Sequence, residues 1–228
     1  MKKTITRYLP IVLDVLAALT LPVLLISASI LFTLDFRPLY YSDIRKLDIE
    51  AYAGLAESEI RENYDALIDY NSIFGPKNLN LPTLPMSNEG RIHFEEVRHI
   101  FVTVEILFIF SLAVTVLLCF IARQRKKDNK SNPYRFLRLG GILSIIIPAI
   151  PSLIIAVNWE FFFTQVFHPL LFNNDYWMFS PFTDPVINIL PDTFFLHCAV
   201  MIISLIIAGA VISYFIGRRL EKKFPGNN

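Results

Sequence analysis

The sequence predicts an all-α membrane protein, with four transmembrane helices and an extracytoplasmic cap made from two outer loops. Three observations predict it. The first is four long apolar runs, each able to cross a hydrocarbon core of ~30 Å, which takes about 20 residues of helix. The second is composition: 54% of the 228 residues are hydrophobic and 18% are charged, where a soluble domain carries about 25% charged residues. The third is where the charges fall. Lys and Arg collect in the N-terminal tail (Lys2, Lys3, Arg7), between the second and third runs (Arg123, Arg125, Lys126, Lys127, Lys130, Arg135, Arg138) and in the C-terminal tail (Arg218, Arg219, Lys222, Lys223). A four-span count puts these three stretches on one side, which the Lys/Arg bias makes the cytoplasm. Both termini are then inside and both long loops outside. The net charge of +1 gives no bulk field that points to nucleic acid.

Residues 1–228 read as a single integral membrane domain. The first span covers about residues 8–34. Its apolar stretch exceeds the core of about 7–15 residues found in a cleaved leader, so it reads as a signal anchor. Asp14 lies near the inner end, within reach of headgroups. The other spans cover about residues 100–122, 139–157 and 194–217. Pro22, Pro148 and Pro151 fall within two of them and predict kinks, because proline removes a helical hydrogen bond that neighbours must replace. Cys119 and Cys198 lie in different spans at different depths and read as free thiols, with no spacing for a disulfide framework or zinc.

The cap comprises residues 35–99 and 158–193. In its first part, Ser42 to Leu67 reads as helical, with an imperfect apolar stripe of Ile49, Leu55, Ile60, Tyr64 and Leu67. A breaker-rich stretch follows, from Phe74-Gly75-Pro76 to Pro85. Ser87 or Asn88 then caps a helix that starts near Gly90 and continues into the second span. The second part is aromatic and carries four acids but no Lys or Arg. It has several prolines and no glycine, so its backbone should be stiff.

All four histidines, His93, His99, His168 and His197, fall near the outer interface. His93 and Glu96 share a helix face. A carboxylate there can fix the imidazole tautomer and raise its basicity, as a general base needs; the alternative is an ordinary surface pair. His99 lies six residues beyond His93, on another side of the helix. No pair of histidines has the four-residue spacing that places two metal ligands on one face, so no metal is expected. Glu105 lies about one turn inside the second span, and an Arg98–Glu105 contact is expected at the interface. The second outer loop combines His168, Trp177 and several carboxylates, which suits an acyl chain with a polar head. The alternative is an interfacial belt that only anchors the protein.

The ordered motifs carry a family resemblance. Gly90-Arg91-Ile92-His93-Phe94-Glu95-Glu96-Val97-Arg98 contains His, two residues, an acid, Val and a basic residue. The later stretch holds Phe167-His168, Trp177-Met178-Phe179, Asp184-Pro185 and Pro191-Asp192-Thr193-Phe194-Phe195 in that order. This resembles the bacterial lipoprotein intramolecular transacylase (Lit) family and its wider group of four-span membrane proteins. The resemblance implies an acyltransferase of the cell membrane that works without cofactor or metal. Its substrate is a diacylated lipoprotein with a free N-terminal cysteine amine, drawn from membrane lipid surroundings. The acyl chain moves from the middle glycerol oxygen to that amine, giving the lyso form. By motif position, His93 and His168 are the acid–base pair, with Glu96, Trp177, Asp184 and Asp192 supporting them. Glu96 stands where an Asp is also seen, and Arg98 where a Lys is seen; His99 and His197 receive no role. The motifs do not say which histidine is base and which acid, nor whether the substrate is a lipoprotein or another acyl lipid. The rival reading is a non-catalytic accessory or lipid-binding protein bearing a cap. A transporter is disfavoured, because one interior acid and no internal repeat are visible. Catalysis requires His93 and His168 to converge, whereas an anchor does not.

Overall fold

A computed structural model describes residues 2–125 and 134–223, so the predicted cytoplasmic cations Lys126, Lys127 and Lys130 lie outside the described residues. Every regular element among the described residues is helical. The long ones are α1 (Lys2–Asp35), and, after three short helices α2 (Arg37–Lys46), α3 (Ile49–Ala53) and α4 (Glu57–Tyr70), α5 (Asn88–Arg125) and α6 (Arg135–Val157). Next come α7 (Trp159–Phe161), a π-helical segment (Phe162–Phe167), α8 (His168–Leu171), α9 (Val186–Ile189) and the long α10 (Asp192–Lys222). Among the described residues four helices are long and apolar enough to cross a membrane, and they are α1, α5, α6 and α10. At 38 residues α5 is about 57 Å long, well beyond the ~30 Å of a hydrocarbon core. Its first turns carry Glu89, Arg91, Glu95, Glu96 and Arg98, so the apolar crossing stretch begins at Ile100 and His93 precedes it.

The described chain divides into two compact units, and each long helix contributes a stretch to both. One unit comprises Met1–Ser29, Ile106–Ser152 and Ile202–Asn228. Here the helices meet through small residues. A Cβ at Gly140 would lie 2.9 Å from the Ala18 carbonyl oxygen, and one at Gly141 would lie 2.7 Å from that of Ala210. Ser213 donates to the Leu137 carbonyl of α6 at 3.0 Å, and Arg138 pairs with Glu221 at 2.9 Å. Lipid is as apolar as a leucine side chain, so association in it depends on such close contact and hydrogen bonding rather than on hydrophobic burial. Large apolar side chains such as Phe110, Ile146, Ile150 and Phe215 correspondingly stay exposed on the spanning helices.

The other unit comprises Ile30–Glu105 and Leu153–Met201. Its core is built from large side chains, including Tyr40, Ile44, Ile60, Tyr64, Val186, Ile189 and Phe194. The Tyr40 and Tyr64 rings stack at 3.7 Å, and the Tyr40 hydroxyl donates to the Ile189 carbonyl at 2.6 Å. The single helix expected over Ser42–Leu67 is instead α2, α3 and α4. The chain turns through left-handed conformations at Asp48 (φ 53°) and Gly54 (φ 69°). Gly54 suits a positive φ because it has no Cβ to clash. The break accounts for the imperfect stripe: Ile49, Ile60, Tyr64 and Leu67 are buried, while Leu55 falls between α3 and α4. Ser87 caps α5 as expected, its hydroxyl accepting from Gly90 N–H at 2.9 Å.

The expected Arg98–Glu105 contact does not form. Arg98 donates to the carbonyls of Ser72, Gly75 and Pro76 and lies over the Tyr70 ring at 4.6 Å. Glu105 accepts from the Ser72 hydroxyl at 2.9 Å and from Ile73 N–H at 2.7 Å. Both charges hold the same turn after α4, one through its carbonyls and the other through its donors.

Candidate active site

His93 and His168 come together. Their ring centroids are 6.5 Å apart, and both residues are buried, at 6% and 7% exposure. His93 arrives on the second turn of α5. Gly90, one turn earlier, permits the second outer loop to approach: a Cβ there would sit 2.3 Å from Asp184 Oδ1 and 3.3 Å from the Phe179 ring. Asp184 is buried and accepts from Ser87 N–H at 2.7 Å and from the Thr183 hydroxyl at 2.7 Å. It ties the loop to the start of α5 and acts on the site only through that tie.

His168 is presented by the π-helical segment. Such a turn carries one extra residue and bonds five positions back instead of four. The Phe163 carbonyl therefore receives the backbone N–H of His168 and also its ring Nδ1, the latter at 2.6 Å. A carbonyl only accepts, so Nδ1 carries the proton and the neutral ring keeps its lone pair on Nε2. Pro169 contributes to the local geometry, since it cannot donate to the Gln165 carbonyl as an α-helical residue would.

Aromatic rings enclose the pair. Trp177 stacks on His168 at 4.2 Å, and Phe163 meets it edge-on at 4.5 Å. Phe172 and Phe179 lie 4.7 Å and 5.3 Å from His93. This enclosure sets the protonation state. Burial pushes the His93 imidazole down to about 4, and the nearby His168 ring adds to the effect. Burial likewise lowers His168, partly offset by the bond to the Phe163 carbonyl. Both rings are therefore neutral at pH 7.

The remaining candidates separate. Glu96 is on the His93 face, but Oε1 accepts from Asn174 at 2.8 Å, and neither Oε2 nor His93 Nδ1 has a partner among the described residues. The expected bond from Glu96 to His93 is absent, and His93 is lowered rather than raised. Asp192 is exposed at the first turn of α10, where it accepts from Thr193; none of its described contacts reaches the histidines. His99 is exposed beside Tyr70, Lys77, Glu95 and Arg98. His197 holds the fully buried Asp43 through Nδ1 at 2.7 Å. Among the described residues no group of three or more His, Cys, Asp and Glu side chains could hold a metal ion. Asn174 escaped the sequence reading, though the polar Asn173-Asn174-Asp175 run inside an aromatic loop marks the place.

The family model for lipoprotein intramolecular transacylase Lit matches residues 15–195. The chain belongs to the Lit family. The solved membrane-integral Lit of Bacillus cereus is 35% identical, with a TM-score of 0.86 over 95% of this chain and 97% of that one. Two variants of that protein, with one histidine replaced by arginine or by alanine, are each 34% identical. They give TM-scores of 0.84 and 0.85 over 97% and 98% of this chain, and over 96% and 98% of their own. No curated protein sequence matches the chain. Lit membership makes the chain a multi-pass membrane transferase, an intramolecular transacylase of lipoproteins, as the motifs implied.

Proposed function

We propose that the chain moves the acyl group on the middle glycerol oxygen of a diacylglyceryl-cysteine lipoprotein to the cysteine α-amine, with His93 and His168 as the acid–base pair. The observation that carries this reading is the convergence of two neutral imidazoles inside one aromatic enclosure. His168 is the base, because its Phe163 bond leaves Nε2 as the acceptor. It takes a proton from the amine as the nitrogen attacks the ester carbonyl. The N–C bond forms, the bond from the acyl carbon to the glycerol oxygen breaks, and that oxygen leaves as a hydroxyl, its proton supplied by the imidazole pair and replaced by the one taken from the amine. The reaction consumes no net proton. A neutral His93 can hydrogen-bond to the developing oxyanion without first being charged. Because nucleophile and ester belong to one molecule, the enclosure gains rate by holding them in attack geometry, and the aromatic walls keep water from the ester. Trp177 lies over the His168 ring, so it swings aside or packs on the acyl chain when substrate enters.

The reading places the chain as one integral membrane domain of the bacterial cell membrane, with spans 8–34, 100–122, 139–157 and 194–217. Residues 35–99 and 158–193 form the extracytoplasmic cap. Reporter fusions at residue 80 should report the outside, and fusions at residue 130 and at the C-terminus the cytoplasm; a cytoplasmic signal at residue 80 overturns this topology. The reaction is tested by the mass of a lipoprotein's N-terminal peptide, with and without the protein. Conversion of a diacylated peptide to the lyso form supports it. Unchanged product from a His93→Ala, His168→Ala double variant would remove the acid–base assignment.

A further inference from the structure

Glu96 is a charged group at the site with half of its carboxylate unused. Its Oε1 is held by Asn174 Nδ2 at 2.8 Å, and the Asn174 amide oxygen is itself held by Tyr176 N–H at 3.0 Å. This chain of bonds holds one side of the carboxylate and leaves the buried Oε2 without a partner among the described residues. His93 Nδ1, one helical turn away on the same face, is also buried without a partner. Leaving a buried polar group unbonded is costly, and more so for a charged one, so the position calls for a donor. Among the described residues no Lys or Arg is bonded to Oε2. Arg91 is bonded to Asn88, Arg98 is spent on the carbonyls of residues 72, 75 and 76, and the second outer loop contains no Lys or Arg.

We infer that Glu96, held by Asn174, receives the α-ammonium of the substrate's N-terminal cysteine as it enters; the ammonium then releases one proton to solvent, and the neutral amine attacks with His168 as its base. The inference rests on the acyl-transfer reading above. An α-amino group titrates at about 7.7–8.0, so much of the substrate reaches the site as a cation with three N–H donors. Glu96 is thereby a substrate-binding group rather than the residue that fixes the His93 tautomer. It also sorts substrates, because a lipoprotein whose cysteine nitrogen is already acylated carries neither the charge nor the spare donors.

The test uses unreactive diether analogues of a diacylglyceryl-cysteine peptide, one with a free amine and one N-acetylated, as competitive inhibitors of the purified enzyme. Wild type should be inhibited about 10- to 100-fold more strongly by the free-amine analogue, the range expected for a hydrogen bond to a charged group. Glu96→Gln keeps an oxygen for Asn174 but replaces Oε2 with an amide donor. It should bring the two analogues to near-equal inhibition and raise KM, whereas Glu96→Asp, which keeps the charge, should retain most of the preference. A purely structural Glu96 predicts the opposite: the preference survives in Glu96→Gln while thermal stability falls, and that result overturns the inference. Should Glu96→Gln not fold, wild type still decides, since equal inhibition by the two analogues overturns it as well. The outcomes separate the two readings. Wild type that converts the diacyl ester but does not distinguish the analogues sinks only the role of Glu96, and wild type that converts nothing sinks the acyl-transfer reading.

Discussion

The unit containing Gly140 and Gly141 and the unit containing His93 and His168 are held together by opposite means. In the first, backbones approach so closely that added atoms have no room. In the second, rings and long aliphatic side chains fill the interior, and the core depends on atoms that are present. On the proposed topology, the difference follows from the solvent each set of side chains leaves. Apolar groups gain little by leaving lipid for a helix contact, so fit and hydrogen bonds decide; apolar groups leaving water gain by area buried. The first unit should therefore be damaged by enlargement and the second by truncation.

The largest effect expected is on chemistry in the second unit. His168→Ala should lower lyso-lipoprotein formation about 10²–10⁴-fold, the range for a lost acid–base group, with the protein still inserted; peptide mass and membrane protein level are measured together. His197→Ala should do the reverse. It leaves the fully buried Asp43 without its imidazole partner, at a cost of about 1.5–3 kcal/mol for a hydrogen bond to a charged group, so the thermal midpoint in detergent falls while the turnover of the protein that remains folded persists. Loss of turnover in well-folded His197→Ala would place a third histidine in the reaction.

Acid should act on the same unit. His93 titrates at about 4 when folded and near its ordinary 6.5 when unfolded. Between those values the unfolded chain binds a proton that the folded chain does not, so stability falls as pH drops through this window. The loss reaches about 3 kcal/mol at pH 4. A thermal-shift series should show it, and His93→Gln should flatten the slope; an identical slope in that variant assigns the acid sensitivity elsewhere. In the first unit, Gly141→Leu should destabilise by about 1–3 kcal/mol through overpacking, because even a Cβ meets the Ala210 carbonyl. Ser213→Ala there should cost only about 0.6 kcal/mol, typical of a hydrogen bond between spanning helices. A harmless Gly141→Leu would break the contrast between the units.

The sequence made the four long helices legible because apolar length and charge placement act locally. The meeting of His93 and His168 was legible through ordered motifs. What escaped depends on contacts distant in sequence. Glu96 shares a face with His93, yet its carboxylate is claimed by Asn174, 78 positions away. Arg98 and Glu105 lie on nearly one face, yet the turn after α4 offers each a better partner. The breaks at Asp48 and Gly54 were hidden because two of the three short helices continue one apolar stripe.

The π-helical segment makes the reading frame of the helix matter to chemistry. An α-helix becomes a π turn by gaining one residue, and each residue advances the helix by about 100°. Deleting any one of residues 164–167 should therefore restore ordinary α-helix while rotating Phe163 and His168 relative to each other and separating ring from carbonyl. Substitutions in this stretch can be absorbed one side chain at a time, but a single codon lost would alter the tautomer of a histidine downstream. Related chains that use this device should vary in the letters of the segment and hold its length constant.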